Sequence, residues 1–139
     1  MPGVASLLVT ASAAIALVLG LLHLFHTFTG TGLQPRDAGL MEAMQRSPPR
    51  ITRQTTMWRA WIGFNASHSL GLVLFALIDG YLALAAPALL FSSIFLRAVG
   101  FALLLGYVFL SHRYFFRVPL RSVLVAAATY AAGIIVAAL

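Results

Sequence analysis

Four long runs of apolar residues restrict what this chain can fold into more than any other feature. A bilayer core about 30 Å thick takes about 20 residues of apolar helix. The sequence is 61% hydrophobic and only 9% charged, whereas about a quarter of a soluble domain is charged. We therefore expect an all-α integral membrane protein, a single transmembrane domain that is a bundle of four helices. The predicted helices cover residues 4–28, 57–84, 88–112 and 120–139.

Prolines mark two of the predicted helix boundaries. Pro87 indicates a turn between the second and third helices, because proline disfavours helical geometry in the residue before it. Pro119 indicates the start of the fourth helix, since proline is tolerated in a first turn.

The first loop contains a further helical pattern in "PRDAGLMEAMQR". Asp37 is a suitable N-cap, and Leu40, Met41 and Met44 fall on one side of a helix. We therefore predict a short amphipathic helix over residues 37–46 that lies at the membrane interface on the cytoplasmic side.

The arginines predict an orientation in the membrane. All nine basic residues are arginine, and all except Arg97 lie in or beside the first and third loops. The positive-inside rule then places loops 29–56 and 113–119 in the cytoplasm and both termini in the periplasm of a bacterial inner membrane. Nucleic acid is not an expected partner despite a sequence pI near 11.2, because the charges flank apolar runs. The absence of cysteine excludes disulfides and thiolate metal sites.

The second predicted helix carries an unusual polar stretch, "NASHS". At about 100° per residue, one stripe of this helix holds Trp58, Trp61, Asn65, His68 and Ser69. Small residues on the opposite side recur every four positions, which favours close approach of a neighbouring helix. These small residues are Gly63, Ser67 and Gly71.

Two other helices send polar groups to similar depths. At about 1.5 Å per residue, His23, Asn65, His68 and Tyr107 lie roughly 8–16 Å from the arginine-rich end of their helices. We predict that these four residues form a polar pocket facing the cytoplasm, with Trp61 near its mouth. The alternative is that they only join helices, each bond contributing about 0.6 kcal/mol.

The small and polar positions of the other helices also fall on stripes, which favours a compact bundle. On the third helix the stripe comprises Ser93, Arg97, Gly100, Leu104, Tyr107 and Ser111. The first helix has Ser12, Ala16, Gly20, His23 and Thr27 aligned, and the fourth has Ser122, Ala126, Thr129 and Gly133.

Arg97 is the most costly residue to bury, at about 2.5–3.5 kcal/mol near a helix centre. Three arrangements would reduce this cost: the Arg97 side chain snorkels outward, it pairs with Asp79, or it binds an anionic group. We expect Asp79 at the outer face, at the end of the second helix.

Two histidines near the cytoplasmic boundary, His26 and His112, are weak metal candidates. Together they suggest bis-histidine ligation of haem b. No carboxylates accompany the histidines, as a di-iron site would require, and no residue is assigned a catalytic role. We expect no cofactor.

The stretches "FTGTGLQPRD", "RQTTMWRAWIGFNASHSLG" and "YFFRVP" resemble a group of small bacterial four-span membrane proteins of uncharacterised function. "GFNASHSLG" is the most distinctive of them. The resemblance covers nearly the whole chain and implies the four-helix architecture, without an assigned chemistry.

Three functions remain open from the sequence. The first is binding of an amphipathic, lipid-like or quinone-like ligand in the polar pocket, which a homo-oligomer would help to complete. The second is an accessory subunit that packs into a larger membrane complex through its glycine and serine faces. The third is a haem- or metal-bearing membrane enzyme.

Overall fold

The computed structural model describes residues 3–139, and within that range it contains helices and no strands. The helices are α1 (Val4–Phe28), α2 (Ala38–Arg46), α3 (Met57–Ala85), α4 (Pro87–Ser92), α5 (Ile94–Tyr114) and α6 (Arg117–Ala138). Four of them, α1, α3, α5 and α6, are long and apolar enough to cross a membrane. The chain is therefore a multi-pass membrane protein, as its apolar runs predict.

The prediction of one continuous helix over residues 88–112 is wrong. Helix α4 ends at Ser92, and Ser93 has extended backbone angles of φ −86° and ψ 108°. The Ser93 hydroxyl then accepts a hydrogen bond from the backbone N–H of Leu96, at 3.2 Å, and so caps α5. Serine favours such a cap over a helix interior, and an apolar run does not reveal this local competition.

Helix α2 begins where the sequence predicts a cap. The Asp37 carboxylate accepts hydrogen bonds from the backbone N–H groups of Gly39 (2.7 Å) and Leu40 (3.1 Å). Near its other end, Glu42 and Arg46 form an exposed ion pair of 3.1 Å, which adds little stability. A short helix thus follows Asp37 in the first loop.

Close packing divides the described chain into two compact units. The core unit comprises the described residues up to Leu19 together with Leu72–Leu139, and the loop unit comprises Gly20–Gly71. The single transmembrane domain stays a prediction.

Small residues allow close helix approach inside the core unit. The Ser12 hydroxyl of α1 donates a hydrogen bond of 2.8 Å to the carbonyl of Ala126 in α6. One turn of α1 earlier, a Cβ placed on Gly133 of α6 would lie 2.9 Å from a methyl of Val9 and 3.1 Å from the carbonyl oxygen of Ala5. Small-residue contacts of this kind are the usual basis of helix packing in membranes.

The buried face of α5 is the stripe that the sequence predicts. Gly100, Leu104, Tyr107 and Ser111 are all buried. Leu104 and Tyr107 belong to one hydrophobic cluster with the largest fully buried apolar residues of the core unit, among them Tyr130, Leu90 and Val9. Helical periodicity therefore identifies correctly which side of this helix faces protein.

Replacing Gly100 by alanine is expected to destabilise the protein. The new Cβ would lie 2.8 Å from an Asp79 carboxylate oxygen and collide with the Tyr130 hydroxyl. Overpacking of this kind costs about 1–3 kcal/mol. Thermal unfolding in detergent, followed by circular dichroism, measures the loss as a lower Tm.

Gly106→Ala is the matched control on the same helix, because a Cβ there meets no atom within 4 Å. Its Tm should stay equal or rise slightly, since alanine favours helix by about 1 kcal/mol over glycine. Equal Tm values for the two variants would contradict the close approach at Gly100.

Candidate functional site

The loop unit brings His23 and Asn65 together across two helices. The His23 Nε2 atom of α1 lies 3.0 Å from the Asn65 Oδ1 atom of α3. An amide oxygen only accepts hydrogen bonds, so the ring must donate through Nε2–H. The amide nitrogen of Asn65 donates in turn to the Trp61 carbonyl oxygen, at 2.8 Å. Both ends of the asparagine side chain are therefore used.

His68 lies beside this pair. Its ring centroid is 5.4 Å from that of His23, and the two rings meet edge to face at 68°. All three side chains are partly buried. We call His23, Asn65 and His68 the polar cluster.

The neighbouring hydroxyls are satisfied within their own helices. Thr27 Oγ1 donates to the His23 carbonyl oxygen at 2.7 Å, and Ser69 Oγ donates to the Asn65 carbonyl oxygen at 2.9 Å. Serine and threonine commonly bond the carbonyl four residues earlier when they lie inside a helix. The polar cluster therefore owes its cross-helix chemistry to imidazole and amide groups.

Trp61 connects α3 to the first loop. Its indole N–H donates to the Leu33 carbonyl oxygen at 3.0 Å, while 41% of the residue remains exposed. It forms one wall of an open, mostly apolar cleft of about 380 Å³, here called the α2 cleft. The α2 cleft is lined by Leu33, Gln34, Pro35, Leu40, Met44 and Trp61.

Trp58 lines a second opening in the loop unit. This opening has a volume of about 230 Å³ and is more polar, with His26, Thr27 and Gln34 in its wall. The two tryptophans thus each border an opening of the loop unit.

The structure brings some of the predicted site residues into contact. His23, Asn65 and His68 are in contact, and Trp61 joins them through its carbonyl oxygen. Tyr107 belongs to the core unit, where only 8% of it is exposed. Its place in a pocket stays a prediction from the sequence.

The weak metal candidates are both exposed. His26 donates from Nδ1 to the Leu22 carbonyl oxygen of its own helix, at 2.7 Å. His112 lies in the last turn of α5, in the core unit. Across residues 3–139, no group of three or more metal-ligating side chains gathers at one point.

The expectation that a neighbouring helix packs against Gly63 is wrong for the described chain. A Cβ placed on Gly63 would meet no atom within 4 Å, and Ser67 is exposed and donates only to the Phe64 carbonyl oxygen, at 3.0 Å. Small residues permit a close approach but do not require one. The close approaches occur at Gly100 and Gly133 instead.

A second polar contact lies in the core unit and involves a residue that the sequence did not single out. The Tyr130 hydroxyl of α6 donates to Asp79 Oδ1 at 2.8 Å, and both residues are buried. Asp79 is therefore buried within the core unit, and its location at the outer face of the membrane stays a prediction. Tyr130 follows the predicted stripe residue Ala126 by four positions, a helical spacing that could have identified it.

Arg97 does not form an ion pair with Asp79 in the described structure. Its Nε atom is buried and has no hydrogen-bond partner among residues 3–139. One carboxyl oxygen of Asp79 instead accepts a hydrogen bond from a neutral phenol, that of Tyr130.

No protein family model, curated protein or solved structure matches this chain. The resemblance carried by "GFNASHSLG" stays a hypothesis.

A double-mutant cycle on His23→Ala and Asn65→Ala measures their contact. We expect a coupling free energy of about 0.6 kcal/mol, with about 1.7 kcal/mol as the upper end for such bonds in membrane proteins. Reversible unfolding in mixed micelles provides the measurement. Ser67→Ala paired with His23→Ala is the control and should show no coupling. A coupling free energy indistinguishable from that of the control would contradict the His23–Asn65 hydrogen bond.

Proposed function

We propose that this small membrane protein binds an amphipathic, lipid-like ligand whose polar end is held by the polar cluster. The observation that supports the proposal is the His23–Asn65 hydrogen bond with the His68 ring beside it. Polar side chains are rare in membrane helices and commonly mark ligand or ion sites. Three of them within contact distance, on two spanning helices, favour a binding role.

The chemistry of the cluster limits the class of ligand. Neutral imidazole and amide groups suit a hydroxyl, carbonyl or phosphate oxygen. His23 makes one hydrogen bond in the described chain, through Nε2–H, which leaves Nδ1 of the neutral ring to accept a hydrogen bond from a ligand hydroxyl. A lipid headgroup that carries a hydroxyl, or the reduced, hydroxyl-bearing form of a quinone-like molecule, meets this requirement.

We also propose an orientation in a bacterial inner membrane. Loops 29–56 and 113–119 lie in the cytoplasm, both termini lie in the periplasm, and α2 rests on the cytoplasmic surface of the bilayer. The arginine distribution supports this topology. The ligand would then enter from the cytoplasmic side.

Native mass spectrometry of the protein from gentle detergent tests the ligand proposal. We expect a reproducible bound mass in the wild-type protein. In Asn65→Ala the affinity for this ligand should fall by about 3- to 15-fold, which corresponds to the loss of one membrane hydrogen bond. Ser67→Ala is the control and should retain the ligand. A bare protein from native membranes would contradict the proposal.

A second function, an accessory subunit of a larger complex, is supported by the open face at Gly63 and Ser67. Partner proteins in the same preparation would favour it, especially if Gly63→Leu released them and His68→Ala did not. A Soret band in the absorption spectrum would favour the haem enzyme.

Single-cysteine labelling tests the topology, because the natural chain has no cysteine. In intact spheroplasts, Gly3→Cys should react with a membrane-impermeant maleimide. Gln54→Cys should react only in inside-out vesicles, since the arginine-rich loop faces the cytoplasm. Both positions are exposed. The reverse pattern would overturn the orientation.

A further inference from the structure

We propose that the α2 cleft binds an acyl chain of an anionic phospholipid, with the headgroup against the arginines of the loop unit. This lipid site is additional to the polar cluster and does not depend on a ligand there. Its evidence is the shape of the cleft and the charge around it.

The shape suits a single hydrocarbon chain. Leu40 and Met44, one turn apart on α2, share the cleft wall with Trp61 of α3. Its volume of about 380 Å³ falls within the range of about 300–1,000 Å³ that is typical of small-molecule sites. Leu40 is 52% exposed and Trp61 is 41% exposed, so this chain leaves apolar surface uncovered there.

The charge around the cleft favours an anionic headgroup. The loop unit contains five arginines and two acids. Asp37 caps α2, and Glu42 pairs with Arg46. The remaining arginines are exposed and have no ion pair within the described residues; they are Arg36, Arg50, Arg53 and Arg59.

Two of these arginines are close in sequence to residues of the cleft wall. Arg36 directly follows Pro35, and Arg59 precedes Trp61 by two positions. Guanidinium groups bind phosphate oxygens through paired hydrogen bonds. Basic residues beside an apolar surface are the usual combination at sites for acidic lipids.

The chain around the cleft favours a lipid over a peptide or a second copy of the protein. The first loop joins α1, which ends at Phe28, to α3, which begins at Met57, and both helices are long enough to cross a membrane. The loop therefore begins and ends close to a bilayer surface, where lipid is the most abundant apolar partner.

Fluorescence quenching by brominated lipids tests the site directly, because the chain has only two tryptophans. In a Trp58→Phe background, Trp61 is the only reporter. The protein is placed in phosphatidylcholine nanodiscs that contain the same small fraction of brominated phosphatidylglycerol or brominated phosphatidylcholine. We expect stronger quenching by the anionic lipid.

Two test variants, each with a control, distinguish a specific lipid site from a general attraction of lipid to the protein surface. Arg36→Gln with Arg59→Gln should lower the preference for the anionic lipid by about fivefold for each arginine removed. Arg121→Gln, in the core unit, is the charge control. Met44→Gln should weaken quenching by both lipids, whereas Met41→Gln, which is not in the cleft wall, should leave it unchanged.

Equal quenching by the two lipids would overturn the proposal, as would a preference that survives the double arginine substitution. Quenching by neither lipid would also overturn it, because Trp61 would then be covered by protein. His23→Ala should not change the quenching. The lipid site and the polar cluster can therefore fail separately.

Discussion

Hydrocarbon offers no hydrogen bonds, so each polar atom inside a membrane protein must find its partner within the protein, and this constraint organises the structure. Ser12 bonds the backbone of another helix, Asp79 bonds Tyr130, and His23 bonds Asn65. Other hydroxyls use their own helix. Among the described residues, two buried side-chain atoms have no hydrogen-bond partner: Thr10 Oγ1 and Arg97 Nε.

The same constraint explains where small residues are needed. A side chain as short as that of Ser12 reaches a carbonyl of another helix only if the backbones come close, which a glycine or alanine permits. Gly100 lies directly against Asp79 and Tyr130, and Gly133 lies against Val9. Gly106 and Gly63 have no such neighbour, so a glycine in a membrane helix does not by itself indicate a helix contact.

The loop unit differs from the core unit in what its polar groups can do. In the core unit, Asp79 is buried and already bonded to Tyr130, an arrangement suited to holding α3 and α6 together. In the loop unit, the polar cluster is partly exposed and the α2 cleft is open. The proposed ligand and lipid sites therefore lie in the unit that also holds five of the nine arginines.

The sequence by itself determined the four membrane-spanning helices, the Asp37 cap and the buried stripe of α5. These features depend on hydrophobicity, helical period and capping, all of which act between residues a few positions apart. It also predicted His23, Asn65 and His68 as one group, because depth along a helix follows from residue count.

Tertiary structure alone decided the partner of Asp79 and the open side of Gly63. Tyr130 is 51 residues from Asp79, and no local pattern specifies which of several buried donors a carboxylate will meet. Small residues likewise allow a close contact but do not specify which helix makes it. The arrangement of helices makes that choice, because packing selects one set of contacts among many that the sequence permits.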